Sequence, residues 1–265
     1  MIRPYRTTYT YSFSPGVTRV VLGLLIANAG VYLLQKIYLD RFLGIVGLVP
    51  SRVLQGYIWQ LITYMFLHGN LFHIFFNLIF LWMLGSELER YWGSRFFLKY
   101  YMVTGIGAGI VNVLVQPHSR VPTIGASGAI FGLIIAFALA FPERELWLYF
   151  IFRIKAKYFA VLVGFIEVVA LFMMPNASIA RFAHLGGLVV GYFYLKQEVY
   201  AWRLKWLIGS WQQKAKARAE SKRLQREQEI RAEIDRILDK IGSQGIESLT
   251  DRERRFLEKQ GRGGV

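Results

Sequence analysis

The sequence contains no cysteine, which excludes disulfide bonds and metal sites built from thiolates. Histidine is scarce, with four residues in 265, and the metal-binding pattern His-Glu-x-x-His does not occur. We therefore expect no metal ion and no other cofactor. We also expect no cleavable signal peptide, because the first apolar run follows Arg19 without a small-residue cleavage site, and this run is expected to act as a signal anchor.

Apolar residues, in contrast, make up 54% of the chain, and they cluster in runs of about 15 to 20 residues, close to the length that crosses a bilayer core. Six runs qualify, at approximately 20–37, 71–88, 96–115, 127–141, 158–174 and 179–195. The pattern predicts an all-α membrane protein, a six-transmembrane-helix bundle with a helical cytoplasmic tail. The predicted parts are an interfacial N-terminus at 1–19, a membrane domain at 20–197 and a basic helical tail at 198–265.

The basic residues predict how this bundle is oriented. Of the 32 lysines and arginines, 17 lie from Lys196 onward, and the other 15 divide ten to five between the two sides if the spans alternate. The richer side also carries the tail, so both termini are predicted to be cytoplasmic, which fits a bacterial inner membrane best. We attribute the net charge of +15 to topology and to contact with anionic membrane lipids, and expect no nucleic-acid partner.

The tail contains a solvated helical segment followed by apolar residues at helical spacing. Gly242 and Gly245 are expected to end that helix. Thr250 and Glu253 then have the spacing of a capping box, which predicts a last short helix. The tail is interpreted as a solvated extension or a partner-binding hairpin.

The polar residues near the beginning of the second, fourth and sixth predicted spans are expected to lie at a similar depth in the membrane. His73 and Asn77 lie in the first two turns of the second span, Ser127 opens the fourth, and His184 lies about one turn into the sixth. Ionisable and polar residues inside a membrane are energetically unfavourable, so they are functional candidates by default. The four side chains are therefore predicted to form one site near the outer face.

The residue types at this site are those of serine hydrolysis. Serine is a weak nucleophile until a base removes its proton, and His184 is the natural base for Ser127. His73 and Asn77 are four residues apart, hence on one helix face, where their side-chain N–H groups can stabilise an oxyanion. The backbone N–H of Ser127, at a helix N-terminus, is a further donor.

Other polar residues are assigned no catalytic role. Glu167 is predicted to lie about two turns too deep to orient His184, and is interpreted as structural. We therefore expect a Ser-His dyad without an acid. His68 and His118 are interpreted as polar rim residues, with a water-mediated contact from His68 to the oxyanion region as the alternative.

Glycines predict how the helices approach each other. Gly128 and Gly132 form a small-xxx-small face on the fourth span, and Gly187 and Gly191 form another on the sixth. Such faces allow close backbone packing in lipid. A close contact between these two spans would bring Ser127 within hydrogen-bond reach of His184.

Three motifs taken together resemble the rhomboid family of intramembrane serine proteases over about residues 17–197. They are Gly-Ala-Ser-Gly-Ala-Ile-Phe-Gly at 125–132, Ala-His-Leu-Gly-Gly-Leu-Val-Val-Gly at 183–191 and His-Ile-Phe-Phe-Asn at 73–77. The resemblance implies a six-helix bundle with a water-filled site. It also implies the roles given above for Ser127, His184, His73 and Asn77. Substrates would be transmembrane proteins, cut in or near their membrane segment, with residues 158–179 as the lateral gate.

The chain departs from the family pattern at two positions. Trp59-Gln60 stands where rhomboids often have Trp-Arg in the first outer loop, so a role of that pair in loop stability is not carried over in full. Phe131 stands where a tyrosine often stacks on the catalytic histidine, and the stacking is expected to survive.

Two other functions fit the sequence less well than proteolysis. A catalytically silent rhomboid-like protein that binds or escorts membrane clients would lack the serine or the histidine, and this chain keeps both. A transporter or channel would line a path with charged residues, and Glu167 is the one such residue in the predicted spans apart from those near their ends.

Overall fold

A computed structural model describes residues 16–39, 43–148, 152–173 and 178–262. Most of the predicted interfacial N-terminus, and residues 174–177 of the predicted gate, lie outside the described residues. The chain divides into two compact units, Met1–Val199 and Tyr200–Val265. Each unit is described by itself below.

The first unit is built almost entirely from helices. Its elements, with α10 extending beyond it, are α1 (Arg19–Leu34), α2 (Leu43–Val46), α3 (Pro50–Val53), α4 (Gln60–Thr63), α5 (Leu71–Phe80), α6 (Ser86–Trp92), α7 (Ser94–Val115), α8 (Ser127–Ala140), β1 (Glu145–Leu148), β2 (Phe152–Lys155), α9 (Ala156–Met173) and α10 (Ser178–Gln244). A π-helical segment, Leu81–Gly85, joins α5 to α6, and another, Gln35–Leu39, follows α1.

Four stretches of helix in the described residues are long and apolar enough to cross a membrane: Arg19–Ile37, Leu71–Trp92, Ser94–Val115 and Ala156–Met173. The fourth predicted run forms a shorter apolar helix, α8, of 14 residues. The last predicted run lies in the first part of α10. The prediction of a predominantly helical membrane protein is therefore confirmed.

The prediction of an all-α fold is wrong at one point, between α8 and α9. There β1 and β2 pair antiparallel, with Glu145 opposite Lys155 and Leu146 opposite Ile154. β2, Phe-Arg-Ile-Lys, alternates apolar and polar residues, the period-two pattern that favours a strand, whereas β1, Glu-Leu-Trp-Leu, does not. This four-residue alternation is too short to stand out beside the long apolar runs.

Helix α8 is the interior helix of this unit. Nine of its 14 residues are buried, and it packs against both α7 and α9. By contrast, α9 exposes large apolar side chains, among them Val161, Phe165 and Phe172. An apolar exposed face on a spanning helix is the face that contacts lipid.

A buried carboxylate fixes the beginning of α1. Glu89 of α6 accepts hydrogen bonds from the backbone N–H groups of Val20 and Val21, at 3.1 and 3.0 Å, and from the Thr18 hydroxyl. The Ser94 hydroxyl donates to the same carboxylate at 2.5 Å. Glu89 thus satisfies N–H groups that a helix N-terminus leaves unpaired, and its negative charge is favourable at the positive end of the helix dipole.

Replacing Glu89 with alanine is expected to destabilise the first unit by about 3 kcal/mol, because several buried donors lose their acceptor together. The measurement is thermal unfolding of the purified protein in detergent. Glu145→Ala is the control, since that side chain is half exposed and lies 3.6 Å from Arg153 across the hairpin. Equal melting temperatures for the two variants would contradict the assignment of Glu89 as a cap.

The segment between α1 and α5 is held by Gln60, which is fully buried. Its Nε2 donates to the carbonyls of Gly44 and Ile45, at 2.9 and 3.0 Å, and its Oε1 accepts from the Val49 N–H at 2.9 Å. Trp59 Nε1 also donates to the Ile45 carbonyl. The Trp-Gln pair therefore stabilises this segment, although glutamine stands where the family pattern has arginine.

The second unit is a helical hairpin. The end of α10 is followed by a 3₁₀ turn, Ile246–Ser248, and by α11 (Asp251–Arg262). Glu253 Oε2 accepts from the Thr250 N–H and hydroxyl, and the Glu253 N–H lies 3.4 Å from the Thr250 hydroxyl, so the predicted capping box is confirmed. Lys240 of α10 donates to the same carboxylate and, with the Thr250 contacts, lowers the pKa of Glu253 to about 2.

Candidate active site

Ser127 and His184 are brought together at one end of the helix bundle, where α5, α8 and α10 begin. Ser127 Oγ lies 2.8 Å from His184 Nε2, within hydrogen-bond distance. Ser127 is the first residue of α8, and His184 is six residues beyond the start of α10 (184 − 178 = 6). The geometry is that of a serine whose proton the imidazole can accept.

The turn before Ser127 depends on a glycine. Gly125 has a φ of +120°, in the region that L side chains rarely adopt, and its N–H donates to the Tyr64 carbonyl at 2.9 Å. A Cβ at this position would lie 2.7 Å from His73 Nε2. Glycine is therefore needed both for the turn and for the close approach of the His73 ring to the backbone that leads into Ser127.

His73 and Asn77, the predicted oxyanion donors, lie on α5 beside the same cavity as Ser127. The Asn70 side chain caps α5 by accepting from the His73 N–H at 2.8 Å. The Asn77 amide donates one hydrogen bond to the His73 carbonyl, at 2.8 Å. Because a primary amide has two N–H groups, Asn77 retains a second donor for a ligand.

Phe131 stacks on the imidazole of His184. The two ring centroids are 4.3 Å apart and the ring planes differ by 10°. Phe131 is four residues after Ser127 on α8, so the helix that presents the serine also presents the ring that restrains the histidine. Stacking of this kind limits rotation of the imidazole and favours its position beside the hydroxyl.

A partly open cavity of about 470 Å³ lies over these residues. Ser127 and His184 line it, as do His73 and Asn77. Apart from Asn70, the remaining lining is apolar and comes largely from Phe76 and Phe80 of α5 and Phe159 and Val163 of α9, together with residues of α8. The cavity thus combines a few convergent polar groups with apolar walls, as small-molecule and peptide sites do.

The glycine faces differ in part from the prediction. A Cβ at Gly187 would overlap the backbone of Gly128, and one at Gly191 would lie 3.1 Å from the Gly132 Cα, so α10 does approach α8 through its glycines. The glycines of α8 allow close packing against a different helix, α7. A Cβ at Gly128 would lie 2.7 Å from Ala108, and one at Gly132 would lie 2.6 Å from Thr104, both on α7.

The predicted depth of Glu167 is wrong. Its Oε1 lies 3.1 Å from His184 Nδ1, and its Oε2 lies 3.6 Å from Arg181 Nη1. Glu167 precedes the end of α9 by six residues (173 − 167), and His184 follows the start of α10 by six (184 − 178), so both lie about 9 Å from the same end of the bundle. Counting from the connection between the two helices would have found this match in the sequence.

His68 is also misplaced by the prediction, because it is fully buried and not a rim residue. Its ring packs edge-on against the His73 ring, with centroids 5.0 Å apart. Burial, and secondarily the charge of His73 when protonated, lowers the pKa of His68 to about 4, so it is neutral at pH 7. His118, in contrast, is exposed in the turn after α7.

Comparison with known proteins agrees with this architecture. A family model described as the Rhomboid domain matches residues 55–199, and one described as a family of unknown function (DUF6576) matches residues 217–262. RHOMBOID-like protein 12, mitochondrial, of Arabidopsis thaliana is 29% identical over 189 residues, which cover 64% of this chain and 56% of that protein. Rhomboid protease GluP of Bacillus subtilis is 34% identical over 144 residues, covering 54% of this chain and 26% of GluP.

The fold and site define a helical membrane protein with a serine–histidine pair at the beginning of a buried helix. The chain belongs to the rhomboid family, whose members are generally intramembrane serine proteases. It spans about a quarter of the length of GluP and about half that of the Arabidopsis relative.

Proposed function

We propose that this protein is an intramembrane serine endopeptidase that uses Ser127 as nucleophile and His184 as general base. The observation that carries the proposal is the 2.8 Å approach of Ser127 Oγ to His184 Nε2 in a cavity that both residues line. Membership of a family whose members are generally proteases supports it. The alternative is a catalytically silent binding or escort protein for membrane clients.

The proposed reaction proceeds by acyl transfer. Ser127 Oγ attacks the scissile carbonyl as its proton passes to His184 Nε2, and the tetrahedral oxyanion accepts hydrogen bonds from the Ser127 N–H and from His73 and Asn77. His184 then gives the proton to the leaving amine, and an acyl-enzyme remains. Water, activated by the same imidazole, releases the acyl group and restores the free serine.

The cavity walls support transmembrane proteins as the substrate class. Aromatic residues of α5 and α9 supply an apolar lining beside the polar groups of the site, which suits a peptide that arrives from lipid. Every backbone group of a transmembrane helix is already hydrogen-bonded within the helix, so the scissile bond is accessible only where that helix unwinds. Substrates are therefore expected to carry helix-destabilising residues near the cleaved bond.

The proposal includes six spans, formed by α1, α5 with α6, α7, α8, α9 and the beginning of α10. The ten-to-five distribution of basic residues favours both termini on the cytoplasmic side, as in a bacterial inner membrane, with the tail at 198–265 in the cytoplasm. The site then opens toward the outer face, and membrane lipids contact the exposed apolar surface of α9.

Fluorophosphonate labelling of the full-length protein in lipid nanodiscs tests this function, because the probe modifies activated serines covalently. We expect wild type to be labelled and Ser127→Ala to remain unlabelled by the probe. Ser210→Ala is the matched control, since it removes a serine hydroxyl outside the site, and its labelling should equal that of wild type. Absence of labelling in well-folded wild type would overturn the protease proposal and favour the escort alternative.

A further inference from the structure

Glu167 is an acidic residue on an otherwise apolar helix, α9, and its side chain is only 12% exposed. A carboxylate in such a position is unfavourable unless its charge is compensated and its oxygens have partners. The dyad mechanism proposed above gives Glu167 no role. Its position in the fold therefore requires an explanation of its own.

Both partners of this carboxylate come from one face of α10. Arg181 and His184 are three residues apart, so they point from α10 in the same direction. Glu167 Oε2 is 3.6 Å from Arg181 Nη1, and its Oε1 is 3.1 Å from His184 Nδ1. The guanidinium compensates the charge, which leaves the second oxygen available for the imidazole.

The nitrogen that Glu167 approaches is the one that must carry a proton during catalysis. His184 can accept the Ser127 proton only if Nε2 is unprotonated, and the neutral ring then holds its proton on Nδ1. A carboxylate beside Nδ1 stabilises this tautomer and the imidazolium that forms when Ser127 attacks. The present angle at Nδ1 is too bent for a hydrogen bond, and such contacts commonly align only when substrate is bound.

We propose that Glu167 is a positioning residue for His184, so that the site operates as a Ser127–His184–Glu167 triad with Arg181 as the counter-ion of the carboxylate. This inference rests on the proposed function. The carboxylate gains and loses no proton. The Ser127 proton moves to Nε2 and then to the leaving amine, while Nδ1 keeps its proton beside Glu167 Oε1.

A structural role for Glu167 predicts a different outcome, because an ion pair with Arg181 would simply hold α9 against α10. Two variants separate these roles. Glu167→Met keeps the side-chain length and removes the acceptor for Nδ1, but leaves Arg181 without its carboxylate. Glu167→Met/Arg181→Met removes both charges, a change that is commonly neutral or stabilising for a buried ion pair.

The first measurement is the rate of fluorophosphonate labelling in nanodiscs, with the melting temperature of each variant. Glu167→Met is expected to melt below wild type and to be labelled about 10²- to 10⁴-fold more slowly. The double variant should regain the wild-type melting temperature while its labelling remains slow. If labelling recovers together with stability, Glu167 is structural and the proposal is wrong.

The second measurement reads the tautomer of His184 and does not depend on activity. In protein labelled with ¹⁵N-histidine, the His184 signals are identified by their loss in His184→Ala. In wild type, the neutral imidazole of His184 is expected to carry its proton on Nδ1. In the double variant, the tautomer is expected to shift toward the Nε2–H form, which can donate to Ser127. Unchanged signals would overturn the proposal. If wild type does not react with the fluorophosphonate but the His184 signals still shift in the double variant, the protease function is rejected and the contact between Glu167 and His184 is retained.

Discussion

Replacing His184 with alanine is expected to lower the rate of serine acylation by several orders of magnitude, on the order of 10⁶-fold in comparable serine hydrolases. The imidazole is the group within 2.8 Å of Ser127 Oγ, so its loss leaves the hydroxyl without a base. The measurement is fluorophosphonate labelling of folded protein, with the melting temperature recorded for the same sample. In substrate cleavage, where loss of either residue can be compared, the double variant Ser127→Ala/His184→Ala should be no less active than either single variant, because the two residues act as a unit.

His118→Ala is the matched control for this change. It also removes one histidine, but His118 is exposed in the turn after α7 and is not among the residues that line the cavity. We expect its labelling rate to equal that of wild type. A His184→Ala protein that is labelled within about tenfold of wild type would show that another group activates the serine.

Replacing Gly187 with valine is expected to abolish labelling and to lower stability by at least about 1–3 kcal/mol, the usual range for overpacking. Any Cβ at this position overlaps the Gly128 backbone, which cannot rotate away as a side chain can. α10 must therefore move away from α8, and the separation displaces His184 from Ser127. A displacement of about 1 Å is enough to reduce a reaction rate by about 10²-fold.

Gly30→Val provides the control for helix propensity. Gly30 lies within α1, and a Cβ there would meet no atom within 4 Å. Since this change adds the same side chain without a collision, its melting temperature and labelling should remain close to wild type. Retention of labelling in Gly187→Val would mean that this contact between α8 and α10 does not set the position of the base.

The predictions from sequence succeeded where a local pattern carries the information. Long apolar runs stand out clearly from the rest of the sequence, so the sequence predicts the helices that these runs form. The Thr250–Glu253 capping box depends on residues three apart, and it forms as predicted. Ser127 and His184 were singled out by their position at the start of apolar runs, and the fold brings them within 2.8 Å.

The errors arose where two distant segments must be placed against each other. The depth of Glu167 depends on where α9 ends and α10 begins, and the prediction placed it about two turns too deep. Even the predicted limits, 158–174 and 179–195, place Glu167 and His184 within about 3 Å in depth. His68 presented a different difficulty, because a histidine between helices is usually solvated, and its burial depends on tertiary packing against His73.

The short length of α8 has a consequence for the space around the serine. Its 14 residues extend about 21 Å, whereas a bilayer core is about 30 Å thick. Helix α8 is therefore about two turns shorter than a helix that crosses the whole core, and longer helices surround it. A helical cylinder about 10 Å wide and 9 Å long occupies about 700 Å³. The cavity over Ser127, at about 470 Å³, is of that size. Much of the cavity therefore corresponds to the volume that a longer α8 would fill, and water can occupy this volume.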